Sequence, residues 1–166
     1  INTTISADSQ KIINQANDVI IANVGKENFE NYYKFEKIDY INATYESRYV
    51  LFYSVYISNE KVYNFPIWIY TDGRIRLEGL PIPDCIENQQ LCSFITKTQA
   101  MEIAQQNEFG FERDYVNIDW DPKASSYVWK LVTTPVQRGD CTFNKVMIIN
   151  ANSGEVLGIK DIGACA

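Results

Sequence analysis

The chain has 166 residues, of which 46% are apolar and 22% charged, and its formal net charge is −6. Its 15 Lys and Arg residues are outnumbered by 21 Asp and Glu and are not concentrated on any predicted element, which argues against a nucleic-acid partner. No apolar run approaches the ~20 residues of a membrane helix, so no membrane span is predicted in the given chain. Because the chain begins with Ile1, we expect a removed leader or a longer parent protein.

The sequence contains no histidine, which excludes Ser-His-Asp triads, Cys-His pairs, His-ligated metal and imidazole acid–base chemistry. It also lacks a phosphate-binding loop, a dinucleotide fingerprint and a haem-attachment motif. Two carboxylates for glycoside hydrolysis could be present, but a sequence cannot place them at the required separation. We therefore expect no catalytic residues, metal or cofactor, and keep a carboxylate-based hydrolase as an outside alternative.

Residues 1–7 are polar and rich in strand-forming residues, so we expect a flexible arm or an added edge strand there. After them, Asp8 or Ser9 caps a predicted helix, and Gly25 ends it. Apolar residues recur along this helix at helical spacing: Ile12, Ile13, Ala16, Val19, Ile20 and Val24. Because only one face is apolar, the helix needs a sheet on which to pack.

An antiparallel meander is predicted after the helix, with strands at 35–41, 49–57, 64–70 and 74–77. Asp72-Gly73 gives the turn between the last two strands. The strand at 49–57 is apolar or aromatic on both faces, and one helix can cover only one of them. We expect the other face to meet the second half of the chain, a partner or water.

The following segment, 79–94, contains Pro81, Pro83 and two cysteines and is interpreted as a linker. The order of elements then repeats. Thr96 and Gln99 form a capping box for a second helix that ends before Gly110. Strands are predicted at 115–120, 127–133, 142–149 and 155–159.

Short matches support this repeat at an offset of about 80 residues. They pair 37–40 with 117–120, 49–51 with 127–129, and Asp72-Gly73 with Ser153-Gly154. A chance similarity of order and turns is the alternative. The last turn has specific chemistry, because Asn150 can bond the backbone two residues on, Asn152 tolerates a left-handed conformation, and Gly154 supplies a positive φ.

Four cysteines occur without a C-x-x-C pair, which favours two disulfides over free cytosolic thiols. Three pairings are formally open. If Ile149 lies opposite residue 155 or 156, Cys141 falls next to Cys165, so we predict Cys141–Cys165 and, by remainder, Cys85–Cys92. Disulfides imply export to a secreted or extracytoplasmic location. The sequons at Asn2 and Asn42 would then be glycosylated only in a eukaryotic secretory route.

The second half resembles a PepSY domain in its Thr-capped helix with Ala100 and Ala104, its apolar strand, its Asn-x-x-Ser-Gly turn and its final Glu-Val strand. The first half resembles that family more loosely. The resemblance implies a helix wrapped by a curved antiparallel sheet, as in cystatins, and an association with extracytoplasmic regulators of peptidases. The predicted fold class is α+β, with two tandem PepSY-like or cystatin-like units at 8–78 and 95–166.

Two further groups of residues need an interpretation. Glu112, Asp114, Asp119 and Asp121 form an acidic group without EF-hand spacing, which we interpret as a solvated strand end. The loop 134–140 lies where cystatin-like inhibitors present a binding hairpin, although an ordinary polar loop is the alternative. A candidate partner surface combines this loop with aromatic strand residues: Phe52, Tyr56, Trp68, Tyr70, Val136, Gln137 and Arg138.

The preferred function is a non-catalytic extracytoplasmic module that works by protein–protein contact, as an inhibitor or regulator of a peptidase. The alternative is a subunit that self-assembles into an extracellular filament or surface layer, since a polar arm, edge strands and disulfides suit strand addition.

Overall fold

The computed structural model describes residues 7–165 and divides into two compact units between Glu87 and Asn88. Each unit contains helices and one antiparallel sheet, so the α+β class and the two helix-plus-sheet units are confirmed. Among the described helices, none is long and apolar enough to cross a membrane.

The first unit opens with helices α1 (Ala7–Val24) and α2 (Lys26–Tyr32), which are separated by Gly25 at a φ of +83°. A meander of four strands follows: β1 (Tyr33–Ile41), β2 (Arg48–Ile57), β3 (Glu60–Tyr70) and β4 (Ile75–Leu77). Neighbours in sequence are neighbours in the sheet, and all pairs are antiparallel. The predicted stop at Gly25 is therefore correct for α1, but a second short helix begins directly after it.

The core of the first unit lies between α1 and one face of the sheet. Ile13, Ala16 and Ile20 on the helix are buried, as their spacing predicts. The hydroxyl of fully buried Tyr53 donates to the Asn17 side-chain oxygen at 2.6 Å, which ties β2 to the polar margin of the helix. Burial of a hydroxyl without a hydrogen-bond partner is costly, and this bond offsets that cost.

The segment 79–94, interpreted as a linker, contains regular structure. It holds a four-residue helix, α3 (Asp84–Glu87), and a 3-10 turn (Gln89–Cys92). Cys85 is fully buried, and the Pro81 carbonyl accepts a bond of 2.8 Å from the Tyr33 hydroxyl. Proline and cysteine content alone does not show this packing, which comes from contacts with distant residues.

The second unit begins with α4 (Lys97–Gln106), and its N-terminus has the predicted capping box. Thr96 Oγ1 accepts from the Gln99 amide at 3.2 Å, and the Gln99 side chain accepts from the Thr96 amide at 2.8 Å. Five strands follow: β5 (Val116–Asp121), β6 (Ser126–Val132), β7 (Val136–Arg138), β8 (Cys141–Asn150) and β9 (Val156–Cys165). The sheet order is β5-β6-β8, with β7 and β9 both paired to β8.

The two sheets repeat each other at the level of single ladder positions. In β1 and β2, Tyr40 lies opposite Tyr49 and Ile38 opposite Leu51. In β5 and β6, the residues at the matching positions pair in the same way, with Trp120 opposite Tyr127 and Ile118 opposite Trp129. The matched sequence segments therefore occupy equivalent places in the first two strands of each sheet.

The β8–β9 turn has most of the predicted chemistry. The Asn150 side-chain oxygen accepts from the amides of Asn152 and Ser153, and Gly154 has a φ of +76°. Asn152 is not left-handed, and its amide group instead donates to the carbonyls of Leu91 and Ser93.

A one-residue bulge at Leu157 then shifts the β8–β9 register, so that Cys141 lies directly opposite Cys165 with their Cα atoms 4.0 Å apart. The disulfide between these two cysteines is present. Cys85 and Cys92 are also disulfide-bonded, and no described cysteine is free.

Candidate functional site

The outer face of the first sheet, opposite α1, carries the predicted aromatic partner residues. Each half-buried ring lies beneath a cation of the same sheet: Lys37 over Phe52 at 4.5 Å, Lys34 over Tyr56 at 4.4 Å, and Arg76 over Trp68 at 5.5 Å. Long basic side chains cover apolar surface with their stems while the charge stays in water. This face therefore carries its own cover of Lys and Arg side chains.

Tyr70 differs from the other predicted aromatic residues, because it is only 8% exposed and belongs to the core. The guanidinium of Arg74 lies 4.7 Å from its ring centre. Arg74 Nε also donates to Asp72 at 2.8 Å, and its terminal nitrogen pairs with Glu46. Including Tyr70 in an exposed partner surface was therefore wrong.

The cations on this face also have acidic partners. Lys37 pairs with Asp39 at 2.6 Å, and Arg76 pairs with Glu78. Glu36 accepts from the Tyr56 hydroxyl at 3.0 Å, and the neighbouring hydroxyls of Ser54 and Tyr56 lower its pKa. The charges of this surface are largely satisfied within the first unit, which leaves little unmatched charge to attract a ligand.

The second unit differs because its helix is shorter than the sheet. Helix α4 has 10 residues, about 15 Å, whereas strand β8 also has 10 residues and is about 33 Å long. The helix side of the sheet is marked by Trp129, whose Nε1 donates to the Ile95 carbonyl at 3.1 Å just before α4. Beyond the end of α4 the same face of the sheet is uncovered.

This uncovered end is a groove of about 720 Å³, which we call the β7–β9 groove. Its lining comes from the segment after α4, the end of β6, and strands β7 to β9: Gly110, Phe111, Thr133, Thr134, Val136, Arg138, Phe143, Asn144, Lys145 and Asp161. Val136 is 53% exposed and Phe143 40% exposed, although both are large apolar residues. Exposed apolar surface inside a concavity is typical of a binding site.

The floor of the groove depends on a glycine. Phe143 lies directly opposite Gly163 in the β8–β9 ladder. A Cβ atom at position 163 would come within 2.8 Å of the Phe143 ring, so the ring lies against the Gly163 backbone. Aromatic cover of a cross-strand glycine holds the ring flat on the sheet.

Three charged side chains line the groove: Arg138, Lys145 and Asp161. In the described part of the chain, none of them makes a salt bridge or a side-chain hydrogen bond. Lys145 and Asp161 are directly opposite in the β8–β9 ladder, whereas Arg138 lies opposite Cys141. The groove thus combines an apolar floor with charges that are not yet paired.

The predicted loop 134–140 is partly a strand. Val136, Gln137 and Arg138 form β7, all three are exposed, and they pair with β8 on one side. Among the described strands, none pairs with the other side of β7. Pro135 precedes β7, where its missing amide hydrogen is tolerated.

Sequence reasoning identified Val136 and Arg138 but missed Phe111, Phe143, Lys145 and Asp161. The available signal was the alternation of Phe143, Lys145 and Met147, which places an aromatic, a charged and an apolar residue on one face of a strand. The uncovered helix side could not be inferred from that alternation, because it depends on where α4 ends.

The acidic group has structural roles. Asp119 pairs with Lys130 at 2.6 Å, and Glu112 accepts a bond from the Thr134 hydroxyl. Asp121 accepts from the amides of Lys123 and Ala124, and these bonds lower its pKa. Each of these three acids stabilises a local turn or strand end, as a solvated strand end would.

Of the two predicted glycosylation sites, the structure describes Asn42. Asn42 is exposed in the loop between β1 and β2, where its side-chain oxygen accepts from the Ser47 hydroxyl at 3.0 Å. Asn2 and the predicted arm lie outside the described residues.

No protein-family model matches the chain, and no curated protein matches it. One solved structure, of a candidate lipoprotein from Clostridium difficile 630, aligns over 87% of this chain and 92% of its own at 16% identity, with a TM-score of 0.32.

Proposed function

We infer that this protein is a non-catalytic extracytoplasmic module that binds a protein partner, and that the β7–β9 groove is its binding site. The observation that carries this inference is the exposed apolar floor of Val136 and Phe143 beside the unpaired charge of Arg138. A partner that covers this floor and places an acid beside Arg138 gains both from apolar burial and from the pairing of charge.

The disulfides support the location. Two disulfides in a chain of this size are typical of proteins that fold in an oxidising compartment outside the cytoplasm. Secretion, a periplasmic location and attachment to the cell surface all agree with them.

Regulation of a peptidase is the specific role we propose. Its support is the resemblance of the second unit to PepSY domains, together with an exposed hairpin strand beside the groove. The purified chain is added to a panel of extracellular serine, cysteine and metallopeptidases, and cleavage of a small fluorogenic peptide is followed. We expect the rate of at least one peptidase to change, with the effect lost in Phe143→Ala and kept in Lys123→Gln.

Lys123→Gln is a suitable control because Lys123 is an exposed cation of the same unit outside the groove. If no peptidase responds to the chain, the peptidase role is wrong. An effect that persists in Phe143→Ala would place the contact elsewhere.

Self-assembly is the second candidate, and strand β9 favours it. Among the strands that the structure describes, this ten-residue strand pairs with β8 alone, and Ile159 and Ile162 on it are more than half exposed. A long exposed edge is a template for another strand. Sedimentation equilibrium at rising concentration separates the candidates, since assembly predicts a growing mass and a soluble regulator predicts a constant one.

A further inference from the structure

We propose that the β7–β9 groove binds an extended segment of its protein partner in which an apolar residue and an acidic residue are separated by one residue. This rests on the proposed function and deepens it, because it names the chemistry that the groove recognises. The motif follows from strand spacing, the groove floor, the balance of charge and the open edge of β7.

The spacing comes from β7. Val136 and Arg138 are two residues apart on this strand and lie opposite Phe143 and Cys141 on β8, so both point to the groove side of the sheet. Side chains two apart on a strand share a face and are about 7 Å from each other. A second strand alongside β7 would present its own side chains at that interval.

The apolar position is set by the floor. Val136 and Phe143 are directly opposite each other and both exposed, and Phe111 also lines the groove. A side chain of the size of Leu or Phe that covers these residues removes apolar surface from water, which is favourable. Ala at this position of the ligand would cover too little of the floor.

The acidic position is set by charge. The lining has two cations, Arg138 and Lys145, and one anion, Asp161, so it is net positive by one on a chain whose formal charge is −6. Lys145 has Asp161 opposite it, which leaves Arg138 as the cation without a facing acid. A carboxylate beside Arg138 can form a bidentate, charge-assisted pair.

The open edge of β7 favours a peptide over a free lipid anion. On that side, the β7 backbone is not paired with any described strand. The Glu112 amide bonds the Val132 carbonyl just before the groove, so the chain that flanks β6 leaves the sheet there. A strand of the partner could lie along the free edge of β7 and make main-chain hydrogen bonds with it, which a lipid tail cannot make.

The experiment uses the full oxidised chain and a displayed library of random heptapeptides. Selected peptides are resynthesised with a fluorescent label, and their binding is measured by fluorescence anisotropy at low salt. Four forms of the protein are compared: wild type, Arg138→Gln, Phe143→Ala and Lys123→Gln. Thermal melting of each variant checks that it is folded.

We expect the library to select an apolar residue and an acidic residue separated by one position. Arg138→Gln should weaken such a peptide about tenfold, as expected for a lost charge-assisted bond. The same peptide with Gln in place of its acid should bind wild type and Arg138→Gln equally. Phe143→Ala should weaken both peptides, and Lys123→Gln neither.

Two outcomes separate this inference from the proposed function. If the selected peptides need Phe143 but show no preference for an acid, the motif is wrong and the groove remains a binding site. If no peptide binding depends on Phe143, both are wrong. Selection of segments of this chain, with a mass that grows with concentration, would identify a second copy as the occupant and overturn the proposed motif.

Discussion

Apart from the additional strand β7, the two units use the same succession of strands, but they differ in how their exposed apolar side chains are covered. In the first unit, rings such as Phe52 and Trp68 lie under cations, and those cations are themselves paired with acids. In the second unit, Val136 and Phe143 are exposed to solvent without a covering cation, and the neighbouring Arg138 has no acidic partner among the described residues. One copy of a repeated fold thus covers its aromatic face with paired cations, while the other leaves apolar side chains exposed in a groove.

Helix length accounts for the exposure of the groove in the second unit. The first unit has 18 residues in α1 and a further 7 in α2, whereas the second has 10 in α4. Strands β8 and β9 nevertheless extend to Cys141 and Cys165. The groove is the part of the sheet that the shorter helix does not reach.

The largest expected effect concerns the end of that groove. Replacing both Cys141 and Cys165 with Ser removes a disulfide of sequence separation 24, which should lower the free energy of unfolding by about 3 kcal/mol. Differential scanning calorimetry should show the loss in the second unit and little change in the first. An equal loss in both units would contradict independent stabilisation of the second.

The stability of the first unit should depend on pH in the alkaline range. Burial raises the pKa of Tyr33 to about 12, so the neutral phenol is favoured in the folded state. The raised pKa of Tyr33 contributes about 2 kcal/mol to the free energy of unfolding. This contribution is complete below pH ~10 and is lost as the pH rises towards 12.

Urea titrations at stepped pH values should reveal this loss, and Tyr33→Phe should reduce it. The variant also loses the bond from Tyr33 to the Pro81 carbonyl, so it is compared with wild type at pH 7 as well. A pH dependence unchanged by the substitution would show that another group is responsible.

The capping box should have a smaller effect, confined to the second unit. Thr96→Ala leaves the Gln99 amide without its side-chain acceptor and should cost about 1 kcal/mol. Thr96→Ser keeps that acceptor and should cost much less. If Ala and Ser have the same stability in urea titrations, the capping bond is not stabilising α4.

Removing a single cation should have the smallest effect on stability, but it tests directly whether the cations of the first unit cover its aromatic face. Arg76→Gln uncovers Trp68 and should leave the thermal midpoint almost unchanged, yet increase self-association in light scattering. Arg138→Gln, which uncovers no ring, should change neither stability nor association. Equal association of the two variants would show that the cations of the first unit are not covering its aromatic face.

The parts of the fold that the sequence predicts are those with local chemistry. The capping box at Thr96 and the turn at Asn150 each bond within a few residues, so their signals are complete in short segments. Helix α2 was missed because none of its residues is buried and it has no apolar periodicity. It is defined by its position after Gly25 and not by its own sequence.

The groove could not be predicted in the same way. Pro135 and Gly139 around β7 are typical of a loop, and Lys160-Asp161 interrupts the apolar pattern of β9 after the predicted end at residue 159. Both strands are held by β8, which supplies the main-chain bonds that their own sequences do not indicate. The candidate site therefore arises from pairing between strands, and sequence identified only its β7 rim.

The bulge at Leu157 has a consequence for folding fidelity. Because Cys165 faces Cys141 only when one residue of β9 is left out of the ladder, a hairpin that omits the bulge places Ala164 there instead. Such a misaligned hairpin would place its two thiols on opposite faces of the sheet, where they cannot form the bond. Formation of the Cys141–Cys165 disulfide therefore favours molecules whose last strand is in the native register.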